Sequence, residues 1–276
     1  MQKPIVDILI EERAPKLAAS WAWPLVRSPL YQALHYPQAR AMADAIAPMG
    51  GADAMEHISA LLALNVEARG LERVPASGRL IVVANHPTGI ADGIALYDVL
   101  KGPRPDLLFY ANSDAHRVCP RFDEALIPVE WVKAKRTRER TRVTLQMTRE
   151  AMEAERCLAI FPAGVLARRD AQGFLTDKPW MPTALSVAQK YEAPVVPVHV
   201  DGPWSTLFHF FNGFSPELRD ITLFHELLNK KGRRFSLTFG GVIPPERLSG
   251  ESAEALSETL KHFVERVLPT DPEAVF

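Results

Sequence analysis

The sequence predicts an α/β protein with a mostly parallel β-sheet covered by helices, preceded by a helical segment. From residue 63 onward, short apolar runs typical of buried strands alternate with longer runs typical of helices. Residues 1–62 contain no strand pattern, and the chain has no internal repeat or low-complexity linker. We therefore expect an N-terminal helical segment over 1–62, packed on one α/β domain over 63–276.

The individual elements follow from the apolar pattern and its interruptions. In the N-terminal segment, Ile5, Ile8 and Leu9 begin an apolar helix face, and a second helical stretch is interrupted at Gly50-Gly51. Strands are expected at residues 65–70, 80–85, 106–112, 126–132, 157–161, 195–200 and 235–240. Helices are expected at residues 94–100, 137–155, 182–190 and 252–267, and a loop at 207–214.

Composition excludes several classes of protein. The 276 residues are 47% hydrophobic and 24% charged, as in an ordinary globular domain. A formal net charge of −1 argues against a general nucleic-acid binder. The two cysteines, Cys119 and Cys157, do not suggest a disulfide framework, so we expect a reducing, cytoplasmic environment.

The N-terminus and the hydropathy pattern bear on membrane topology. Asp7, Glu11 and Glu12 do not suit a secretory signal. No apolar run approaches the ~20 residues that a spanning helix needs. We therefore expect a soluble or peripheral protein.

Neither of the two pairs that resemble metal ligands is complete. His116 lies three residues before Cys119, and His199 lies two before Asp201. Both pairs lack a third ligand at suitable spacing, so no metal site is predicted.

The run NHPTGIADG at residues 85–93 is the first segment that can carry chemistry. It lies between a predicted strand and a predicted helix, where open α/β sheets place their ligands. An imidazole beside a carboxylate can act as a general base, because the carboxylate fixes the tautomer and stabilises the imidazolium; His86 and Asp92 could form such a pair. Alternatively, the run is a plain turn and Asp92 caps the next helix.

The run IFPAGVLARR at residues 160–169 is the second such segment. Gly164 would let a backbone N–H approach a ligand closely, and the guanidinium groups of Arg168 and Arg169 could bind a phosphate in a basic loop. Alternatively, the segment is a strand-ending turn followed by surface arginines. The run APVVPVHV at residues 193–200 is expected to be a buried strand with prolines near its ends.

Together, these three ordered runs resemble the signature blocks of the glycerolipid and lysophospholipid acyltransferase family, which includes the enzymes that form phosphatidic acid. The spacing between His86 and Asp92 is one residue longer than is usual in that family, and Ala163 stands where a glutamate is usual. In both departures the chain resembles a hemolysin-like or ornithine-lipid-type branch of the family. The resemblance spans roughly Val66 to Ile243.

The resemblance implies a mostly parallel acyltransferase fold and transfer of a fatty acyl group from acyl-CoA or acyl carrier protein to a lysolipid. The acceptor would be a lysophospholipid or a lyso-aminolipid. His86 would be the general base, Asp92 would orient it, and backbone N–H groups around Gly164 would stabilise the oxyanion. No metal or further cofactor is expected, because a thioester is already activated. The expected substrate-binding residues are Asn85, Gly89, Phe161, Pro162, Gly164, Arg168 and Arg169.

A lipid substrate implies an enzyme bound peripherally to the inner face of the cell membrane. The aromatic run at 207–214, together with Trp21 and Trp23, could contact lipid, line an acyl channel or belong to the core. A basic run could be a solvated surface or a docking site for coenzyme A phosphates, acidic carrier protein or anionic lipid. Its residues are Lys133, Lys135, Arg136, Arg138, Arg140 and Arg142.

Two other functions are compatible with the same residues. A hydrolase could use the His86–Asp92 pair with water as acceptor, although the chain lacks a Gly-x-Ser-x-Gly elbow. A lipid-binding protein could retain the fold without turnover, and the longer His86–Asp92 spacing and Ala163 favour that alternative.

Overall fold

A computed structural model describes residues 3–130 and 136–276. Within these ranges, seven strands form one sheet in the order β1-β9-β8-β2-β5-β3-β4. The strands are Asn65–Arg69 (β1), Leu80–Ala84 (β2), Leu108–Asn112 (β3), Leu126–Val129 (β4), Cys157–Ile160 (β5), Val195–Asp201 (β8) and Arg234–Phe239 (β9). Two further strands, β6 (Arg168–Arg169) and β7 (Leu175–Thr176), form a separate antiparallel hairpin.

The sheet is mostly parallel, as predicted. Strands β8, β2, β5, β3 and β4 run in one direction, whereas β9 is antiparallel to β8 and pairs in parallel with β1. The predicted strands are confirmed to within two residues at most ends. A prediction of strand beyond Val129 extends into residues outside the described ranges.

Helices cover both faces of the sheet. Before the first strand lie Ile5–Arg13 (α1), Pro15–Ala18 (α2), Trp23–Ala33 (α3), Tyr36–Ile46 (α4) and Gly51–Leu62 (α5). Later come Ile90–Leu100 (α6), Asp114–Val118 (α7), Arg138–Glu153 (α8), Thr183–Tyr191 (α9), Thr206–Asn212 (α10), Pro216–Asp220 (α11), Leu223–Leu228 (α12), Pro245–Leu248 (α13) and Ala253–His262 (α14). None of the helices that the structure describes is both long and apolar enough to cross a bilayer.

The central strands separate two hydrophobic clusters, because successive side chains point to opposite faces. Along β2, Leu80 and Val82 face one cluster, and Ile81 and Val83 face the other. The first cluster includes buried residues of α1, α3, α4, α5, α6 and α12. The second is built on α8, α9 and α14. The N-terminal helices therefore share the core of the α/β domain.

Three local predictions are wrong. Residues 206–212 form helix α10, where we expected a loop. The aromatic residues of this segment show only a weak helical period, so the sequence pattern did not indicate the helix. Arg168 and Arg169 form β6 of the hairpin and do not lie in a loop. Helix α6 begins at Ile90, four residues earlier than predicted, because Gly89 provides its N-terminal cap.

Candidate active site

The strand order brings the three sequence runs together. His86 follows β2, the central strand, and the Phe161–Gly164 turn follows its neighbour β5. The third run forms β8, on the other side of β2. Because all three strands are parallel, their carboxyl ends meet at one edge, which is where such sheets place ligand sites.

The Asn85 side chain fixes the end of β2 to β8. Its Nδ2 donates to the Val200 carbonyl at 2.9 Å, and its Oδ1 accepts from the Val200 N–H at 2.6 Å. The buried amide thus continues the sheet after the last regular strand residue. In this structure Asn85 supports the backbone that carries His86.

Asp92 is fully buried in the first turn of α6 and accepts several hydrogen bonds there. The N–H groups of Thr88 and Gly89 donate to its Oδ2 at 2.9 and 3.0 Å, and the Thr88 hydroxyl donates to its Oδ1 at 2.6 Å. The Asp92 N–H donates in return to the Gly89 carbonyl at 2.9 Å. This reciprocal cap both starts the helix and holds the carboxylate in one orientation.

His86 Nδ1 lies 3.0 Å from Asp92 Oδ2, so the longer sequence spacing still brings the pair together. The ring N–H does not point in line with that oxygen, and the contact falls short of a well-formed hydrogen bond. Such pairs often tighten only when substrate binds. The imidazole stacks on Phe161, with ring centroids 4.6 Å apart.

The turn after β5 packs against the first run. Gly164 has a φ of 62°, a conformation that favours glycine, and its N–H donates to the Phe161 carbonyl at 3.0 Å. That N–H is therefore engaged in the turn and is not aimed at an oxyanion. The Pro162 carbonyl accepts from Met181 N at 3.0 Å. A Cβ on Gly89 would meet the Leu166 side chain at 3.1 Å, so glycine permits this close packing.

Arg168 lies half-buried in a cluster of positive charge. Its Nε is buried and has no hydrogen-bond partner among the described residues. Burial and the neighbouring Arg219 lower the pKa of Arg168. The charge of Arg168, followed by burial and Arg219, lowers the pKa of Lys178. Arg168, Lys178 and Arg219 thus bring positive charge together, and Asp220, which pairs with Arg219 at 2.6 Å, partly offsets it.

Arg169 is held against aromatic side chains. Its guanidinium lies 4.3 Å from the centre of the Trp204 ring, and Nη1 donates to the Gly173 carbonyl at 2.8 Å. Trp204 in turn stacks on His209 at 3.8 Å. Burial, with the nearby arginine charges, lowers the pKa of His209 to about 4. Arg169 therefore connects the hairpin, through Trp204, to His209 of α10, while the buried Arg168 Nε is without a partner among the described residues.

Sequence reasoning missed several residues at this site. Asp177 accepts hydrogen bonds from the His86 N–H, and Thr88 binds Asp92. Lys178 and Arg219 adjoin Arg168. Thr88 lies inside the first run and could have been singled out as a hydroxyl beside the helix start. The other three come from distant segments and have no local signal.

The aromatic residues expected near lipid separate into two groups. Trp21 is 85% exposed, whereas Trp23 is buried, so of the alternatives left open for Trp23 its burial supports the core. In α10, Phe208 is buried and Phe210 is 63% exposed; Phe214 just beyond is 60% exposed. No group of three or more His, Cys, Asp or Glu side chains within the described ranges could hold a metal ion.

Residues 24–267 match the model of the family described as "Acyltransferase", and the chain belongs to that family. The family predicted from the three runs, and an acyltransferase activity, are thereby confirmed.

Among individual relatives, the chain is 28% identical over 204 residues to the lyso-glycine lipid O-acyltransferase of Phocaeicola vulgatus, covering 70% of each chain. It is 25% identical over 245 residues to the enzyme of the same name from Bacteroides thetaiotaomicron, covering 87% of this chain and 88% of that one. A solved structure, the 1-acyl-sn-glycerophosphate acyltransferase PlsC of Thermotoga maritima, is 18% identical with a TM-score of 0.49, covering 99% and 98% of the two chains.

Proposed function

We propose that this chain transfers a fatty acyl group from a thioester to the hydroxyl of a lysolipid, with His86 as general base. The 3.0 Å approach of His86 Nδ1 to the buried Asp92 carboxylate is the observation that carries the proposal. The two relatives named lyso-glycine lipid O-acyltransferases support a hydroxyl acceptor on a lyso-aminolipid.

The chemistry follows from which ring nitrogen faces the carboxylate. Since Nδ1 faces Asp92, Nε2 is the nitrogen that takes the proton from the acceptor hydroxyl. The acceptor oxygen then attacks the thioester carbonyl and forms a tetrahedral intermediate. Collapse of the intermediate breaks the carbon–sulfur bond, and the imidazolium returns its proton to the leaving thiolate. Asp92 stabilises the imidazolium during these steps.

The anionic headgroup of the acceptor would bind at Arg168. Its buried Nε has no partner among the described residues, and Lys178 and Arg219 add positive charge beside it. Charge-assisted hydrogen bonds from a guanidinium suit a carboxylate or a phosphate equally. Gly89 and the Phe161–Gly164 turn would form the wall next to the reacting atoms.

The acyl donor would dock through its negative charge on a groove beside α8. The groove has a volume of about 820 Å³ and includes Arg138, Arg142, Arg149, Lys190 and Tyr191. Arg136 also lines it, whereas Lys133 and Lys135 of the same basic run lie outside the described ranges. Coenzyme A phosphates and an acidic carrier protein are both complementary to such a surface.

Charge reversal at the groove distinguishes the two donors. In an Arg142→Glu/Lys190→Glu variant, loss of kcat/KM with acyl carrier protein alone would identify the protein donor. Loss with both donors would identify the coenzyme A phosphates as ligands of the groove. The exposed Arg233, on the loop before β9, provides a matched control as Arg233→Glu. Equal activity of the wild type and the groove variant with both donors would refute docking there.

The enzyme would reach its lipid substrates from the membrane surface. Helix α2 contacts α11: the N–H groups of Lys16 and Leu17 donate to the Glu217 side chain at 3.1 and 2.8 Å. Trp21, just after α2, is exposed, and so are Phe210 in α10 and Phe214, which precedes α11. Exposed aromatic side chains of this kind bind the lipid interface reversibly.

The activity itself is tested with labelled acyl thioesters and a panel of acceptors, followed by mass spectrometry of the lipid products. We expect acylated lysolipid with a lyso-aminolipid or a lysophospholipid, and little product with glycerol 3-phosphate. Ala163 supports this preference for lysolipids over glycerol 3-phosphate, since it offers no carboxylate to pair with a free hydroxyl. Release of free fatty acid without acylated product would favour the hydrolase instead.

A further inference from the structure

Asp177 is a second buried carboxylate next to the proposed general base. It follows β7 and is 4% exposed. Both of its carboxylate oxygens lie 3.1 Å from the backbone nitrogen of His86, which donates to them. Oδ2 also accepts from Trp180 Nε1 at 2.8 Å. Both oxygens of this buried carboxylate therefore bind the main chain of His86, and Oδ2 also binds Trp180.

The same main chain is held on its other side. The His86 carbonyl accepts from the Ala167 N–H at 2.9 Å. Ala167 immediately precedes β6, and Asp177 immediately follows β7. Both ends of the β6–β7 hairpin are therefore fastened to His86, and the hairpin carries Arg168.

We propose that Asp177 is a positioning residue for the transfer reaction. Its carboxylate fixes the backbone of His86, and with it the direction in which the imidazole meets Asp92 and the acceptor. The same hydrogen bonds attach the β6–β7 hairpin, which carries Arg168, to His86. The position of Arg168 relative to His86 is therefore fixed. This inference rests on the proposed role of His86.

The hydrogen-bond donors around Asp177 suit its ionised form, whereas burial and Glu265 oppose ionisation. The Asp177 N–H donates to Glu265 Oε1 at 2.6 Å, and Lys261 Nζ donates to Glu265 Oε2 at 2.7 Å. Burial raises the pKa of Asp177 to about 7; Glu265 adds to the rise, while Trp180 and His86 oppose it. The ionised form accepts from both donors, whereas a proton would occupy an oxygen that faces an N–H.

The test compares Asp177→Ala and Asp177→Asn with the wild type. We expect Asp177→Ala to lower kcat by ~10- to 100-fold, the size of effect that misplacing a catalytic group by about an ångström can have. The KM for the acyl donor should change much less. Asp177→Asn should recover part of the loss, because its Oδ1 can still accept from the His86 N–H. Asp170→Asn is the matched control, since this hairpin carboxylate binds the N–H groups of Gln172 and Phe174 and the side chain of Arg266, and not His86.

A pH profile separates positioning from simple support of the fold. In the wild type, activity should fall at low pH as Asp177 is protonated, in addition to any ionisation that the wild type shares with Asp177→Asn. The acid limb of log kcat/KM should therefore be steeper in the wild type than in Asp177→Asn. An unchanged profile, or kcat of Asp177→Ala within two-fold of the wild type, would overturn the inference.

Two controls keep the outcome clear. If Asp177→Ala does not fold, the profile of Asp177→Asn alone decides the question. Normal turnover of a His86→Ala variant would instead rule out His86 as the general base, whatever the results for the Asp177 variants. Failure of the positioning role and failure of the proposed function are thus separate results.

Discussion

At the residue scale, His86 is held at three points. Its backbone N–H and carbonyl bond to Asp177 and Ala167, and its ring lies between Asp92 and Phe161. A general base needs such constraint, because proton transfer requires hydrogen-bond distance in the reacting complex. The main chain provides the constraint before any substrate arrives.

The His86–Asp92 pair gives the first prediction. His86→Ala should lower kcat by ~10²- to 10⁴-fold, since a positioned general base contributes about that factor. Asp92→Asn should also lose activity, because a neutral amide stabilises the imidazolium less. Steady-state kinetics with circular dichroism on each variant check this. Near-normal acyl transfer by both folded variants would show that the site lies elsewhere.

Arg168 gives the second prediction. Arg168→Ala should raise the KM for an anionic acceptor about tenfold, which corresponds to ~1.4 kcal/mol and is the size of a charged hydrogen bond. Arg169→Ala is the matched comparison: its guanidinium is engaged with Gly173 and Trp204, so acceptor KM should change less and thermal stability more. Equal effects of the two substitutions on acceptor KM would contradict this division of roles.

At the element scale, the amount of local signal decided what could be predicted. The strands β2 and β5 are continuous apolar runs, and β8 is apolar apart from His199 and Asp201. Such runs are typical of strands buried on both faces, and their positions were predicted closely. Helix α10 has aromatic residues without a clear helical period, and the two-residue strands of the hairpin are too short for any pattern. The His86–Asp92 pair lies within one sequence run, whereas Asp177 reaches His86 only through the hairpin.

Helix α10 and the residues after it give the third prediction. Phe210→Ser with Phe214→Ser should weaken binding to anionic lipid vesicles by about tenfold or more, because each exposed ring loses apolar contact with the interface. Co-sedimentation at low and high salt measures it. Leu145→Ser is the matched control, since this exposed residue lies on α8, on the opposite face of the sheet. Unaltered binding of the double variant would exclude this membrane contact.

At the scale of the whole molecule, the buried carboxylate of Asp177 makes stability depend on pH. Burial raises the pKa of Asp177 to about 7 in the folded state, above the usual value in an unfolded chain. Between these values the folded state binds more protons, so the free energy of unfolding falls as pH rises from about 4 to 7. The stabilising contribution is complete at lower pH and is lost above about 7.

The fourth prediction follows from that dependence. Between pH 5 and pH 8, the Tm of the wild type should fall relative to that of Asp177→Asn, because only the wild type must ionise a buried carboxylate. Differential scanning calorimetry of both proteins across this range measures the difference, and titrations common to the two proteins cancel. A constant Tm difference at all pH values would show that Asp177 keeps an ordinary pKa.

The pairing of Asn85 with Val200 joins residues 115 positions apart. Closing so long a loop is entropically costly and slow, and the reacting groups have no fixed arrangement until β8 docks on β2. A partly folded chain can therefore hold native helices while remaining inactive. During refolding, recovery of turnover should lag behind recovery of helical circular dichroism. The interval between the two is the period in which the apolar central strands are exposed to other chains.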